Sequence, residues 1–160
     1  MTVSPTARFG LHLMQGIPKS AVAAKLPIFG SNYTADQIVG PVGGRCPSFV
    51  PDQWAIDAAH PGAQLYYDSL VHMWAEQGLD FIYFDGILDC GRCHIGVVAL
   101  LSDSLRRLGN GMYLFTSWGP PLAAAGCSFE ALSALAPYVR VGSSWPLTRL
   151  PFCYTPLHLY

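Results

Sequence analysis

Two rhythms of apolar residues alternate along the chain. In PGAQLYYDSLVHMWAEQG, Ala63, Tyr66, Tyr67, Leu70 and Trp74 recur at helical spacing and make one apolar face. Pro61 suits the first turn of that helix, and Gly78 stands where helices commonly end in a left-handed residue. LDFIYFD follows at once, Leu79 to Asp85; it is rich in aromatic and β-branched residues, is bounded by Gly86, and predicts a buried strand. The pattern then repeats. Val97, Val98, Leu101, Leu105 and Leu108 mark a second helix stopped by Gly109, and MYLFTS, Met112 to Ser117, a second strand. Ser128 suits the cap of a third helix with Glu130 in its electropositive first turn, and YVRV, Tyr138 to Val141, reads as the strand after it. Near the start, RFGLHLM predicts a strand from about Arg8 to Met14.

Strand starts at 79, 112 and 138 lie about 30 residues apart, the spacing of consecutive βα units. Continuous apolar strands alternating with amphipathic helices imply an α/β fold whose parallel sheet is covered by helices. Gln15 to His60 differs: it is rich in Pro and Gly, holds only short helical candidates such as KSAVAAK and TADQIV, and reads as an elaborated loop. From Pro146 onward PLTRLPFCYTPLHLY has three prolines and no period. The expected organisation is one domain over residues 1–145 and an irregular Pro-rich tail over 146–160.

Composition narrows the function classes. The 160 residues suffice for one domain with a core, and 51% hydrophobic against 12% charged residues excludes a disordered chain. Nine basic residues against ten acidic ones leave no basic stripe for nucleic acid or an anionic membrane. Mean hydropathy is positive, yet no apolar run approaches the roughly 20 residues a spanning helix needs. MTVSPTARFGLHLMQG is interrupted by Gly10, His12 and Gln15 and does not read as a secretory signal, so a cytoplasmic location is the default expectation. Five cysteines, an odd count, argue against a complete disulfide framework.

Chemistry concentrates in YFDGILDCGRCH, Tyr83 to His94. Parallel α/β folds bind ligands at the carboxyl ends of their strands, and Asp85 closes such a strand, either as a functional carboxylate or as a cap on the turn. Trp118 ends the next strand, as a platform for a sugar ring or a plug of the sheet's mouth. Arg140 lies in the last strand, where an inward guanidinium needs an anionic partner. His12 reads as a hydrogen-bonded structural histidine. CGRC has the spacing of a redox dithiol, Cys90 and Cys93, although the long insertion after the first strand is foreign to a thioredoxin. CGRCH also has the spacing of a haem attachment site, with His94 and a distant residue such as Met112 as ligands. A zinc site finds at most three ligands here, because Cys46, Cys127 and Cys153 are scattered. The pair is left as a disulfide or an idle loop, and no cofactor or metal is expected.

PGAQLYYDSLVHMWAEQGLDFIYFDGI resembles the helix and fourth strand of the melibiase-type α-galactosidases. FGLHLMQGIPKSAVAAKLPIFGSNYTADQIV is similar to the third-strand region of a microbial subgroup of these enzymes, YLFTSWGP to their fifth strand and YVRVGSSW to their sixth. The resemblance implies a partial (β/α) barrel of about four strands, with a carbohydrate as substrate or ligand and open sheet edges through which copies could associate. It implies retaining hydrolysis of terminal α-galactosides, with a non-catalytic sugar-binding relative as the alternative. Carried over, Asp85 falls on the nucleophile, and Trp118 and Arg140 on sugar-contacting positions. Two positions depart from the pattern. Tyr83 replaces a lysine two residues before the nucleophile, and Ser144 stands at the acid/base position, where a hydroxyl cannot deliver a proton as a carboxylic acid does.

Overall fold

Phe81–Asp85 becomes a strand because its residues suit burial on both faces and Gly86, at φ 73°, turns the chain out of it. The computed structural model describes residues 8–40, 50–89, 92–118 and 120–141. In chain order the elements are β1 (Gly10–Met14), β2 (Ile17–Pro18), α1 (Lys19–Ala23), β3 (Gln53–Trp54), α2 (Pro61–Glu76), β4 (Phe81–Asp85), β5 (Leu88–Asp89), β6 (Arg92–Cys93), α3 (Ile95–Leu108), β7 (Tyr113–Trp118), α4 (Pro120–Ala124), α5 (Phe129–Leu135) and β8 (Tyr138–Val141). Four of the strands form one parallel sheet in the order β1-β4-β7-β8, with helices between them. This is the parallel α/β sheet that the alternating rhythm implied, and the partial (β/α) barrel that the family resemblance implied.

Helix α2 starts where expected. Pro61 occupies its first turn, and His60 caps it, Nδ1 accepting from the Gly62 amide at 3.1 Å. Its buried stripe is Gly62, Ala63, Tyr67, Val71 and Trp74, with Tyr66 and Leu70 half-buried on the flank. Tyr67 meets Phe84 of β4 edge-on at 6.2 Å, which seats the helix on the sheet's outer face. Helix α3 buries Val97, Val98, Leu101 and Leu105 against the same layer. A polar clasp joins the two helices: Asp68 accepts from Ser104 at 2.6 Å, Gln64 at 2.9 Å and Arg107 at 2.7 Å, and Arg107 also reaches Asp103. Burial alone would raise the Asp68 carboxyl, but the bonds from Ser104, Arg107 and Gln64 outweigh it and hold the group below its ordinary range.

The long insertion is more organised than a loop. β2 and β3 pair antiparallel across 34 intervening positions, and KSAVAAK supplies α1. TADQIV is a set of turns rather than a helix: Thr34 Oγ1 donates to Asp36 at 2.6 Å, the Thr34 amide donates to Gln37, and Ala35 and Ile38 are buried. The segment is shaped by docking on the rest of the core, not by helical propensity. Ser128 caps α5 as expected, accepting from the Ala131 amide at 3.1 Å, while α4 had no periodic signature. No helix among the described residues is long and apolar enough to cross a membrane. The 146–160 tail lies outside the described residues.

Candidate functional site

Registered neighbours in a parallel sheet project to the same side, so the pairing sorts the residues into rows. Gly10, Phe81 and Tyr113 form the lowest row of the inner face; His12, Tyr83, Phe115 and Tyr138 form the next. The top row, at the carboxyl ends, runs Met14, Asp85, Ser117 and Arg140. The outer face carries Leu11, Leu13, Ile82, Phe84, Leu114 and Thr116 toward the helices.

Asp85 is half-buried at the end of β4, and its two carboxylate oxygens have different surroundings. Oδ1 accepts from Ser117 Oγ at 2.8 Å and from the Gly86 amide at 2.8 Å. Oδ2 lies 3.9 Å from Nε2 of His12, with side-chain exposures of 30% for the aspartate and 22% for the histidine. The backbone is fastened too, because the Gln15 amide donates to the Asp85 carbonyl at 2.8 Å and ties the end of β1 to that of β4. A carboxylate with one oxygen restrained and the other facing an imidazole at the mouth of an aromatic-lined sheet can attack an electrophilic carbon or hold a sugar hydroxyl.

Of the residues singled out from sequence, Asp85 stands at the strand end and Tyr83 one row below it, edge-on to His12 with ring centroids 5.2 Å apart. Arg140 occupies the register position beside Ser117; its side chain and Ser144 lie outside what is described. Trp118 falls on the alternate face from Ser117 and packs edge-on against Phe129 of α5 at 5.4 Å, so it is not brought to Asp85. Sequence reasoning passed over Ser117 and took His12 as structural. Both become visible only once β1 and β7 are aligned on β4.

The cysteine motif is resolved differently from its spacing. Cys93 is bonded to Cys127, 34 residues on, and not to Cys90. The bridge joins the β5–β6 hairpin that follows Asp85 to the turn preceding α5, so two neighbouring loops at the carboxyl end are cross-linked. Cys93 is therefore unavailable both to a CGRC dithiol and to a haem thioether. Met112, moreover, precedes β7 at the amino end of the sheet, opposite the loop that carries His94. Among the described residues no group of three or more His, Cys, Asp or Glu could hold a metal ion. Asp36, one of the nearest carboxylates by loop position, is engaged by Thr34 and Lys25 within the insertion.

A parallel sheet with interleaved helices defines a partial (β/α) barrel, and solved structures share it. The β-L-arabinopyranosidase of family GH27 from Geobacillus stearothermophilus is 33% identical, with TM-score 0.62 over 71% of this chain and 26% of its own. A variant of that enzyme in complex with arabinose matches equally well. A protein from Bacillus halodurans assigned as an α-N-acetylgalactosaminidase is 34% identical, with TM-score 0.61 over the same shares. The chain is a relative of the melibiase-type glycoside hydrolases of family GH27. It spans about a quarter of the length of the structures it matches. No family model matches it, and no curated protein matches it significantly.

Proposed function

We propose that this chain carries the nucleophile half of a retaining glycosidase site for a galacto-configured pyranoside, with terminal α-galactosides as the substrate class and Asp85 as the nucleophile. The observation that supports this reading best is the asymmetric carboxylate: Oδ1 is held by Ser117 and Gly86, while Oδ2 lies 3.9 Å from the His12 imidazole. The substrates named for the two relatives agree with the sugar. β-L-Arabinopyranose is α-D-galactopyranose without its hydroxymethyl group, and N-acetylgalactosamine differs from galactose only at the second carbon. All three share the ring configuration that a common site would read.

In such a site Asp85 attacks the anomeric carbon, and the leaving oxygen takes a proton from a second carboxyl group about 5–5.5 Å away. By the family resemblance, Ser144 is the residue at the sequence position of that acid. The chain by itself is thus suited to the covalent step on a leaving group that needs no proton, and poorly suited to an ordinary glycoside. Arg140, in the register row of Asp85, is assigned to contacts with the sugar's hydroxyls.

The test is incubation with a galactosyl fluoride bearing a second ring fluorine, followed by intact mass measurement. The new bond joins Asp85 to the anomeric carbon while the carbon–fluorine bond breaks and fluoride departs with the electron pair. A single galactosyl adduct on Asp85, absent in Asp85→Asn, supports the reading. Galactose binding without any adduct would replace it with a non-catalytic sugar-binding role.

A further inference from the structure

Asp85 has two oxygens and three neighbours that compete for them. The hydroxyl of Ser117 and the amide of Gly86 both donate to Oδ1 at 2.8 Å, which occupies the two lone-pair directions of that atom. Oδ2 receives neither bond. The His12 imidazole, charged only when protonated, lies beside it with Nε2 at 3.9 Å, too far for a hydrogen bond but close enough for its charge to be felt. The two side chains arrive from opposite directions, His12 from β1 and Ser117 from β7, so the division is built into the sheet's register.

We infer that Ser117 and His12 divide the carboxylate between them: Ser117 is a positioning residue that holds Oδ1 as the spectator, and His12 sets the charge at Oδ2, the attacking oxygen. This rests on the reading of Asp85 as a glycosidase nucleophile. Attack spends the negative charge on Oδ2 and builds positive charge on the sugar ring, so an imidazolium beside Oδ2 opposes the step and a neutral imidazole does not. Covalent labelling therefore quickens as His12 loses its proton. Among the described residues, the titratable and charged positions in the same two register rows as His12 and Asp85 are Tyr83 on β4 and Tyr138 and Arg140 on β8. Asp85 and Tyr83 are in direct reach of His12.

Two measurements test this on the folded chain. In the first, the His12 imidazole is titrated by NMR in wild type and in Asp85→Asn, with no sugar present. A unit charge near 4 Å in a solvated setting is felt as roughly half a pH unit or more, so the His12 midpoint falls by at least about that much in the variant. An unchanged midpoint overturns the inference. In the second, labelling by the difluorinated galactosyl fluoride is followed against pH. Ser117→Ala slows labelling about tenfold at unchanged sugar affinity, and Ser117→Thr, which keeps the hydroxyl, restores it. Equal losses in the two variants would mark a packing role and refute the assignment of Ser117. His12→Gln removes the rise in rate expected of wild type as the imidazole loses its proton; a rise that persists in His12→Gln refutes the assignment of His12. Coupling without any label in wild type refutes the glycosidase reading alone, while label without coupling refutes the division of the oxygens.

Discussion

Removing the Cys93–Cys127 bridge releases two loops beside the candidate site and lengthens the free chain of the unfolded state. The bridged residues are 34 positions apart, and the chain-entropy relation for a closed loop of that size gives about 4 kcal/mol at 25 °C. For a domain of this length each kcal/mol moves the thermal midpoint by about 2–4 °C, so loss of the bridge lowers it by roughly 10 °C. The substitution to make is the double one, Cys93→Ser with Cys127→Ser, because a lone Cys93 is left three positions from Cys90 and open to a new pairing. Circular dichroism melts of wild type, reduced wild type and the double variant supply the comparison, and peptide mapping under non-reducing conditions identifies the bridge. The reduced and doubly substituted proteins should melt together, well below the oxidised one. Melts within about 2 °C of each other, or a mapped Cys90–Cys93 bridge, would show that the long-range tether is not what orders these loops.

Other outcomes follow from the packing. Phe84→Ala, at a fully buried position against Tyr67, opens a cavity and costs about 3–5 kcal/mol in urea unfolding. Gly10→Ala sets a methyl group 2.4 Å from the Phe81 carbonyl oxygen and destabilises the chain by about 1–3 kcal/mol, measured the same way. Asp68 is held below its ordinary pKa in the folded chain, so its contribution is present above the unfolded value near 4 and is lost as pH falls through the lower folded value. Asp68→Asn should therefore cost about 1–3 kcal/mol at neutral pH and flatten the loss of stability below about pH 4. Ser128→Ala removes the cap of α5 and costs about 1 kcal/mol by the same assay.

The helices and strands of the βα units were readable because their signals are local. The stripe Ala63, Tyr67, Trp74 repeats within one segment, and the strand around Phe81 is one uninterrupted apolar run. Even so, the stripe's exact edge was displaced: Val71 is buried where Leu70 was expected, since the sheet, not the helix, decides how far round the contact reaches. The insertion was misread in part for the opposite reason. Its two-residue strands Ile17–Pro18 and Gln53–Trp54 have no period of their own, and TADQIV gives up helical geometry to bury Ala35 and Ile38.

The candidate site divides along the same line. A carboxylate ending an apolar strand announces itself in sequence, and Asp85 needed nothing more. His12 and Ser117 are 73 and 32 positions from it, in segments whose own patterns explain them without chemistry. Only the parallel register of β1 and β7 on β4 brings their side chains to its two oxygens. The cysteines teach the same lesson from the other side: CGRC is a local pattern that suggested a local pair, and the sheet carried Cys127 to Cys93 instead. Periodicity and strand-end position are properties of short segments, so the chain alone settled the α/β class, most element positions and the place of Asp85 at a strand end. Which groups surround that carboxylate, and which thiols bond, depend on contacts between distant segments, and those exist only in the folded sheet.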